Sequence, residues 1–191
     1  MEEKNKKECI LNAAMNLFVE RGFENTSVQD IAFYAKIAKG TIYIYFKSKD
    51  ELIHELYRHC YQLDVEACRA GMDEEQDAIS KLCRRLDNII NYALKHPKEA
   101  MIEQLYLSSP IYRSNPIGFQ TEMADDIEVV VKMGIEKGEL RPLPVKMLTR
   151  IYYNLAQAMY MYVLEEPKQW EVYSFRKQCY ELIKDGLSVT H

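Results

Sequence analysis

The sequence predicts an all-α protein of about nine helices, and three observations support this prediction. Apolar residues recur at the spacing of one helix face through most of the chain. The 191 residues include only 7 Gly and 6 Pro, which cluster at a few positions where helices can end. No stretch shows the alternation of apolar and polar residues that a half-buried strand requires. The length favours a small domain followed by a larger one.

The first predicted helix runs from about Lys6 to Arg21. Gly22 is a suitable stop, because glycine adopts the left-handed conformation that commonly follows a helix. The aromatic ring of Phe23 can then fold back onto the last turn. The apolar residues that share one face of this helix are Ile10, Leu11, Ala14, Leu17 and Phe18.

Two short helices follow. The second helix begins at Thr26 or Ser27, since Thr26 and Gln29 have the spacing of a reciprocal capping box and Ser27 offers another cap. A tight turn separates it from the third helix, at about residues 38–45. Two short helices joined in this way form a helix-turn-helix motif, here from about Ser27 to Phe46.

The rest of the chain is also predicted to be helical. Ser48 and Glu51 have the spacing of a second capping box, which starts the fourth helix at Lys49. Gly and Pro residues separate the later helices, and residues 108–118 are predicted to form a loop. The predicted ranges of the fourth to ninth helices are 49–69, 78–96, 98–107, 119–137, 145–164 and 167–187.

In a helix-turn-helix motif the second helix enters the major groove of DNA, whose width matches a helix with its side chains. Here that helix begins with Lys39, Gly40 and Thr41. The glycine weakens the helix but permits a close approach to DNA, and the threonine suits a phosphate or a thymine methyl. The predicted DNA-binding residues are Thr26, Ser27, Ala38, Lys39, Gly40, Thr41, Tyr43, Tyr45, Lys47 and Lys49.

The charge distribution agrees with this interpretation. The whole chain has a net charge of −4, but residues 1–50 carry 8 basic and 7 acidic side chains. Four lysines and no carboxylate lie between Lys36 and Lys49. Such a cluster attracts a phosphate backbone, although lysine runs also occur on surfaces that contact only water.

Some of these residues have a purely structural alternative. Thr26 and Ser27 are helix caps first, and DNA contact is an additional role. Tyr43 or Tyr45 can instead pack against the domain, since a short helix has little surface to spare. Gly40 has no evident structural purpose, which favours the functional interpretation.

A distinctive set of residues runs through about residues 4–64: Ile10, Leu11, Ala13, Ala14, Leu17, Phe18, Glu20, Gly22, Phe23, Thr26 to Val28, Asp30 to Ala32, Lys39 to Tyr43 and Tyr45 to Leu52. With these residues the segment resembles the TetR family of bacterial transcriptional regulators. The family commonly has glycine where this chain has Lys36. A lysine there is mildly strained if the position is left-handed.

The resemblance implies a three-helix DNA-binding domain at residues 1–48 and a larger helical domain for ligand binding and dimerisation at residues 49–191. It implies a repressor that responds to a ligand and binds a palindromic operator as a homodimer, with one recognition helix per half-site. The last two helices form the dimer interface in the family. The matching stripe is Leu148, Ile151, Tyr152, Leu155, Met159 and Tyr162, with Tyr173, Leu182, Ile183 and Gly186 from the last helix. From its pattern alone, this stripe suits a monomer core equally well.

The resemblance also implies a small-molecule pocket in the larger domain. Methionine and tyrosine suit an adaptable, largely apolar cavity, and Asn154 in the apolar eighth helix needs a partner if it is buried. The expected ligand is small and apolar or amphipathic. The candidate ligand-binding residues are Tyr92, Met101, Leu105, Tyr106, Tyr112, Met123, Tyr152 and Asn154, and ordinary core packing is the alternative for each of them.

Other classes of function have little support in the sequence. No metal-ligand spacing, glycine-rich phosphate loop or catalytic serine motif is present, so we expect no metal site, no cofactor and no enzymatic activity. No apolar run is long enough to span a bilayer, so we expect a cytoplasmic, nucleoid-associated protein without membrane contact. The main alternative is a similar DNA-binding protein without a small-molecule effector, which a protein partner controls or which organises the chromosome.

Overall fold

The computed structural model describes the backbone of residues 3–114 and 120–189 and the side chains of residues 6–113 and 126–189. Within this part the chain is all-α, as predicted, and its one extended pairing is a single bridge between Leu140 and Ser188. The helices are α1 (Glu3–Arg21), α2 (Val28–Tyr34), α3 (Lys39–Tyr45), α4 (Lys49–Arg69), α5 (Ala78–Lys95), α6 (Pro97–Ser108), α7 (Pro110–Ser114), α8 (Gln120–Glu136), α9 (Val145–Glu165) and α10 (Tyr173–Leu187). None of these described helices is both long and apolar enough to cross a membrane.

The described residues hold ten α-helices, one more than the sequence predicts. The additional helix is α7, which lies in the segment predicted to be a loop. It begins at Pro110, and proline fits there because the first turn of a helix needs no donated hydrogen bond. Pro167 also starts a helical turn, but this is a 3₁₀ helix, Pro167–Glu171, so the predicted ninth helix is shorter than expected.

The end of α1 confirms the prediction for its stop. Gly22 has a φ angle of 78°, in the left-handed region. The ring of Phe23 then lies edge-on against Phe18, with 4.9 Å between the centroids. This contact fixes the direction in which the chain leaves α1 and enters the helix-turn-helix segment.

The chain divides into two compact units. The first contains residues 1–63 and 96–117, and the second contains residues 64–95 and 118–191. The predicted boundary between residues 48 and 49 is a division by function, and it stays a prediction.

The first unit is built around α1, which packs against α2 and α6, while α2 packs against α3. Helices of seven residues, such as α2 and α3, are not stable alone in water, so this packing holds them in place. The predicted apolar face of α1 is buried. Its core partners include Phe23, Val28, Ile31, Ala32, Ile42, Phe46, Leu52, Ile53 and Leu56.

In the second unit α5 packs against α8, α9 and α10, and α9 packs against α8 and α10. Gly134 of α8 marks a close approach to α5. A Cβ atom added to Gly134 would lie 2.6 Å from the Cβ atom of Ala78 and 2.8 Å from Cγ of Leu140. Glycine is therefore required at this crossing for a packing reason.

Candidate DNA-binding site

Helix α2 begins with a complete capping box, one residue later than the Thr26–Gln29 pairing. The hydroxyl of Ser27 accepts a hydrogen bond from the backbone N–H of Asp30, and the Asp30 carboxylate accepts one from the backbone N–H of Ser27. Hydrogen bonds from Ser27 hold the pKa of the Asp30 carboxyl below its usual value. The reciprocal Thr26–Gln29 box is therefore wrong, and Ser27 is the cap.

Thr26 is a correction to the predicted DNA-binding set. Its side chain is 1% exposed. The hydroxyl donates at 2.9 Å to the backbone carbonyl of Gly22, which is a free acceptor at the end of α1. The side chain thus joins α1 to α2 inside the unit and is turned away from any phosphate. Ser27, by contrast, is exposed.

The turn between α2 and α3 contains Lys36 in the left-handed conformation, with a φ angle of 55°. Lysine carries a modest strain there that glycine does not. The side chain is exposed. A cation therefore stands at the turn, directly before the helix predicted to meet DNA.

Helix α3 has one buried side chain, Ile42, and its other residues are exposed or half-buried. The buried Phe46 follows directly and anchors the C-terminal end. The predicted DNA-binding residues of this segment that are exposed are Ala38, Lys39, Gly40, Tyr43 and Lys47, and those that are half-buried are Thr41, Tyr45 and Lys49. The sequence-predicted set from 38 to 49 thus lies on one accessible segment.

Gly40 has no packing requirement. A Cβ atom added there would meet no atom within 4 Å, and its φ angle is not in the left-handed region. The fold therefore loses helix stability at this position without a compensating contact. The geometry agrees with the interpretation that Gly40 permits a close approach of another molecule.

The start of α4 is capped by the chain itself. The backbone N–H of Glu51 donates to the hydroxyl of Ser48 at 3.1 Å, and the Glu51 carboxylate accepts from the backbone N–H of Lys47. The reciprocal bond of the predicted box therefore reaches Lys47 instead of Ser48. The backbone N–H groups of Lys47 and Glu51 are therefore occupied within the chain, and what this segment offers a phosphate is the charge of Lys47 and Lys49.

Three exposed residues in or near α3 are not among the DNA-binding residues predicted from the sequence. Phe33 is 84% exposed, Ile44 is 75% exposed and Tyr34 is 52% exposed. The sequence spacing could have indicated the exposure of Ile44, because Ile44 lies two residues after the buried Ile42 and so points to a different side of the helix. Large apolar side chains left in solvent beside lysines indicate a contact surface.

The candidate ligand-binding residues are divided between the two compact units. Met101, Leu105, Tyr106 and Tyr112 belong to the first unit, and Tyr92, Tyr152 and Asn154 belong to the second. Met101 is 46% exposed and Asn154 is exposed, and their roles in ligand binding stay predictions. Helix phase alone did not show which face of α6 or α9 is covered. The side chain of Met123 lies outside the described residues.

Tyr106 is fully buried, and its polar end is satisfied within the first unit. Its ring stacks on Tyr57 with 3.9 Å between centroids, and its hydroxyl lies 2.8 Å from Nδ1 of His54. Burial raises the pKa of Tyr106 to about 12, so it stays neutral at physiological pH. Tyr112 is near it, at 5.8 Å between ring centroids. A cleft of about 320 Å³ between α1 and α4 contains none of the predicted ligand-binding residues.

The predicted dimer stripe divides into core and surface. Leu148, Tyr152 and Met159 of α9 are buried within the second unit, as is Ile183 of α10, so they belong to the core of one chain. Tyr162 is exposed. The other large apolar side chains that α9 and α10 leave exposed are Met147, Met161, Tyr173 and Leu182.

Comparison with known proteins decides between helix-turn-helix families. Residues 10–56, which contain α2 and α3, match the family of bacterial regulatory proteins named tetR. The chain belongs to the TetR family. It is a transcriptional regulator with a DNA-binding helix-turn-helix segment, and its solved structural neighbours share the helical C-terminal part.

Individual TetR-family relatives cover the chain to different extents. The uncharacterised regulator YuxN of Bacillus subtilis is 43% identical over 58 residues, which are 30% of this chain and only 20% of that protein. The fatty acid metabolism regulator protein of Bacillus subtilis is 23% identical over 192 residues and 98% of both chains. The crystal structure of FadR from Bacillus subtilis in complex with stearoyl-CoA has a TM-score of 0.80 at 21% identity, with 94% of this chain and 98% of that one covered. The last comparison shows the fold.

Proposed function

We propose that this TetR-family regulator is a repressor that binds a palindromic operator as a homodimer and releases it when a small ligand binds. The observation that carries the proposal is the exposed surface of α3, on which only Ile42 is buried and the side chains of Lys39, Tyr43 and Ile44 and the backbone of Gly40 are accessible.

The exposed residues of α3 and of the segment directly after it suit both parts of DNA recognition. Lys39 and Lys47 provide charge for the phosphate backbone, while Tyr43 and Ile44 can contact base edges and thymine methyl groups. Nζ of Lys39 lies 6.0 Å from the ring centroid of Tyr43, which brings a charge and a flat ring to the same place. Gly40 permits the backbone of α3 to come close to the groove. Thr26 is left out of the proposed contact set because its side chain is buried.

The homodimer is supported by apolar side chains that one chain leaves in solvent. Tyr173 is 73% exposed and Leu182 is 56% exposed, and both lie on α10. A second copy of the same surface would cover them, as a two-fold dimer requires. The operator is then expected to contain two half-sites whose centres are about 10–10.5 base pairs apart, or a multiple of that spacing.

Ligand control is supported by the fold of the neighbour that was crystallised with stearoyl-CoA. We propose a small amphipathic effector for this chain as well. We assign transmission to α4, because it supplies residues to both compact units and begins directly after the DNA-binding segment. A coupling of about 1–3 kcal/mol between ligand and operator gives about 5–150-fold release. The proposed place of action is the cytoplasm, at the nucleoid.

The test is capture of genomic fragments by the purified protein, followed by footprinting of the bound DNA. We expect one palindromic motif to be protected over two successive major grooves. The Tyr43→Ala variant should lose at least about tenfold in affinity for that motif without a change in thermal midpoint, since Tyr43 is 47% exposed. Absence of any enriched sequence, or equal affinity of the variant, would overturn the proposal. Binding that no effector changes would favour a regulator without a small-molecule ligand.

A further inference from the structure

Arg85 of α5 is a buried charge whose donors are not all used within the described part of the chain. The residue is 2% exposed, and its NH1 group has no hydrogen-bond partner among the described residues. Arginine remains charged in proteins, and an unpaired buried guanidinium is strongly unfavourable. A fold that keeps such a group has a use for it that packing alone does not provide.

The nearby carboxylate compensates this charge only in part. Asp64 of α4 is 4% exposed and acts on Arg85 through space, but its Oδ1 atom accepts a hydrogen bond from Sγ of Cys68 at 3.5 Å. Burial raises the pKa of Asp64 to about 6. Burial also lowers the pKa of Arg85, but Cys68 and the groups around it more than offset this, and the net change is upward.

Helix α9 brings further polar side chains to the same side of α5. Tyr152 holds the two helices together, because its hydroxyl donates at 3.1 Å to the backbone carbonyl of Leu82, one turn before Arg85. The hydroxyl of the next residue, Tyr153, lies beside the Arg85 guanidinium, whose charge and side-chain hydrogen bond act on it, while burial raises the pKa of Tyr153 to about 12. The hydroxyl of Thr149, one turn earlier on the same face of α9, is also buried without a described partner.

We propose that Arg85 and Tyr153, with Thr149 beside them, form the binding site for the anionic group of a ligand, a carboxylate or a phosphate, within the second unit. The NH1 group of Arg85 can donate a charge-assisted hydrogen bond to an oxygen of either group, and the hydroxyls can donate to another oxygen. A neutral ligand would leave the buried charge uncompensated. The inference rests on the proposed ligand response and gives the chemical class of its ligand.

The test is calorimetric titration of the full-length protein with three eight-carbon probes: octanoate, octyl phosphate and octanol. We expect octanoate or octyl phosphate to bind at least about tenfold tighter than octanol, and the tighter of the two shows which anion the site takes. Arg85→Met should remove this preference, so that the two anions bind no more tightly than octanol. The matched control is Arg84→Met, because Arg84 is the adjacent arginine and its guanidinium forms an exposed ion pair with Glu75 at 2.8 Å.

A second variant keeps the inference testable if Arg85→Met does not fold. Tyr153→Phe removes one hydroxyl and should weaken anion binding about three- to tenfold without affecting octanol. The inference is overturned if octanol binds as tightly as both anions, if none of the three probes binds, or if the folded Arg85 and Tyr153 variants bind the anions as the unmodified protein does.

Operator binding is measured on the same samples and separates the two proposals. If the protein fails to bind any operator but prefers the anions, the proposed repressor function fails and the anion site stands. If the protein binds its operator but shows no preference for anions, the anion site alone is wrong.

Discussion

Ile44 and Thr26 show why single residues in the helix-turn-helix segment need the folded structure to be interpreted. Thr26 and Ser27 both lie where the sequence predicts a helix cap. In the folded chain the hydroxyl of Thr26 is turned inward against the end of α1, whereas the hydroxyl of Ser27 caps α2 at the surface. Ile44 is apolar, and sequence pattern treats apolar residues as core, yet it is 75% exposed. A residue of α3 is therefore a candidate DNA contact only if the folded structure leaves its side chain exposed.

The charge of Lys39 provides a prediction that does not require the operator sequence to be read. Lys39→Gln should reduce the slope of log affinity against log salt concentration by about 1, because one fewer counterion is released from DNA. Binding is measured at several salt concentrations by fluorescence anisotropy. Lys132→Gln is the control, since Lys132 is an exposed lysine of α8 in the second unit. Equal slopes for both variants would remove Lys39 from the contact set.

Asp64 predicts a pH dependence of stability. Burial raises its pKa to about 6 in the folded chain, while an unfolded chain titrates near 4. The folded state therefore holds the proton more tightly, and stability is lost as the pH rises through about 6. Asp64→Asn lacks this titration, so between pH 4 and pH 8 its free energy of unfolding should fall by about 2 kcal/mol less than that of the unmodified protein, as measured by urea unfolding. A difference that does not change with pH would contradict the assigned cause.

At the scale of elements, the helices themselves were accessible from the sequence. Capping residues and helical periodicity placed α1 to α4 within a few residues of their observed ends. The short α7 was not predicted, because five residues carry too little periodicity to separate a helix from a loop. The sequence also did not show which candidate ligand-binding residues are buried. Met101 and Asn154 lie on helices whose buried face depends on tertiary packing.

Two glycines in different helices should respond in opposite ways to alanine. Gly134→Ala introduces a clash with Ala78 and should destabilise the protein by about 1–3 kcal/mol. Gly40→Ala meets no atom within 4 Å and should stabilise the protein by up to about 1 kcal/mol while weakening operator binding. Chemical denaturation and operator titration of both variants check this. If Gly40→Ala binds the operator normally, glycine at that position has no role in approach to DNA.

At the scale of the whole molecule, a monomer leaves apolar side chains of α9 and α10 in water. Leu182→Glu places a charge on the surface proposed to join two copies, and it should yield monomers in sedimentation velocity at micromolar concentration. The operator affinity should fall at least about tenfold, because both half-sites are needed together. Val129→Glu is the control, since Val129 is equally apolar and 66% exposed but lies on α8. A Leu182→Glu variant that remains a dimer would place the interface elsewhere.

The central claim is that the exposed surface of α3 enters the major groove, and the most direct measurement compares two matched aspartate substitutions on a captured operator. Ile44 is 75% exposed on α3 and Val129 is 66% exposed on α8, so neither substitution disturbs the core. Ile44→Asp should lower operator affinity by about a hundredfold, because a carboxylate is placed against phosphates and bases. Val129→Asp should bind as the unmodified protein does. Equal affinity of the two variants would show that α3 does not lie in the groove.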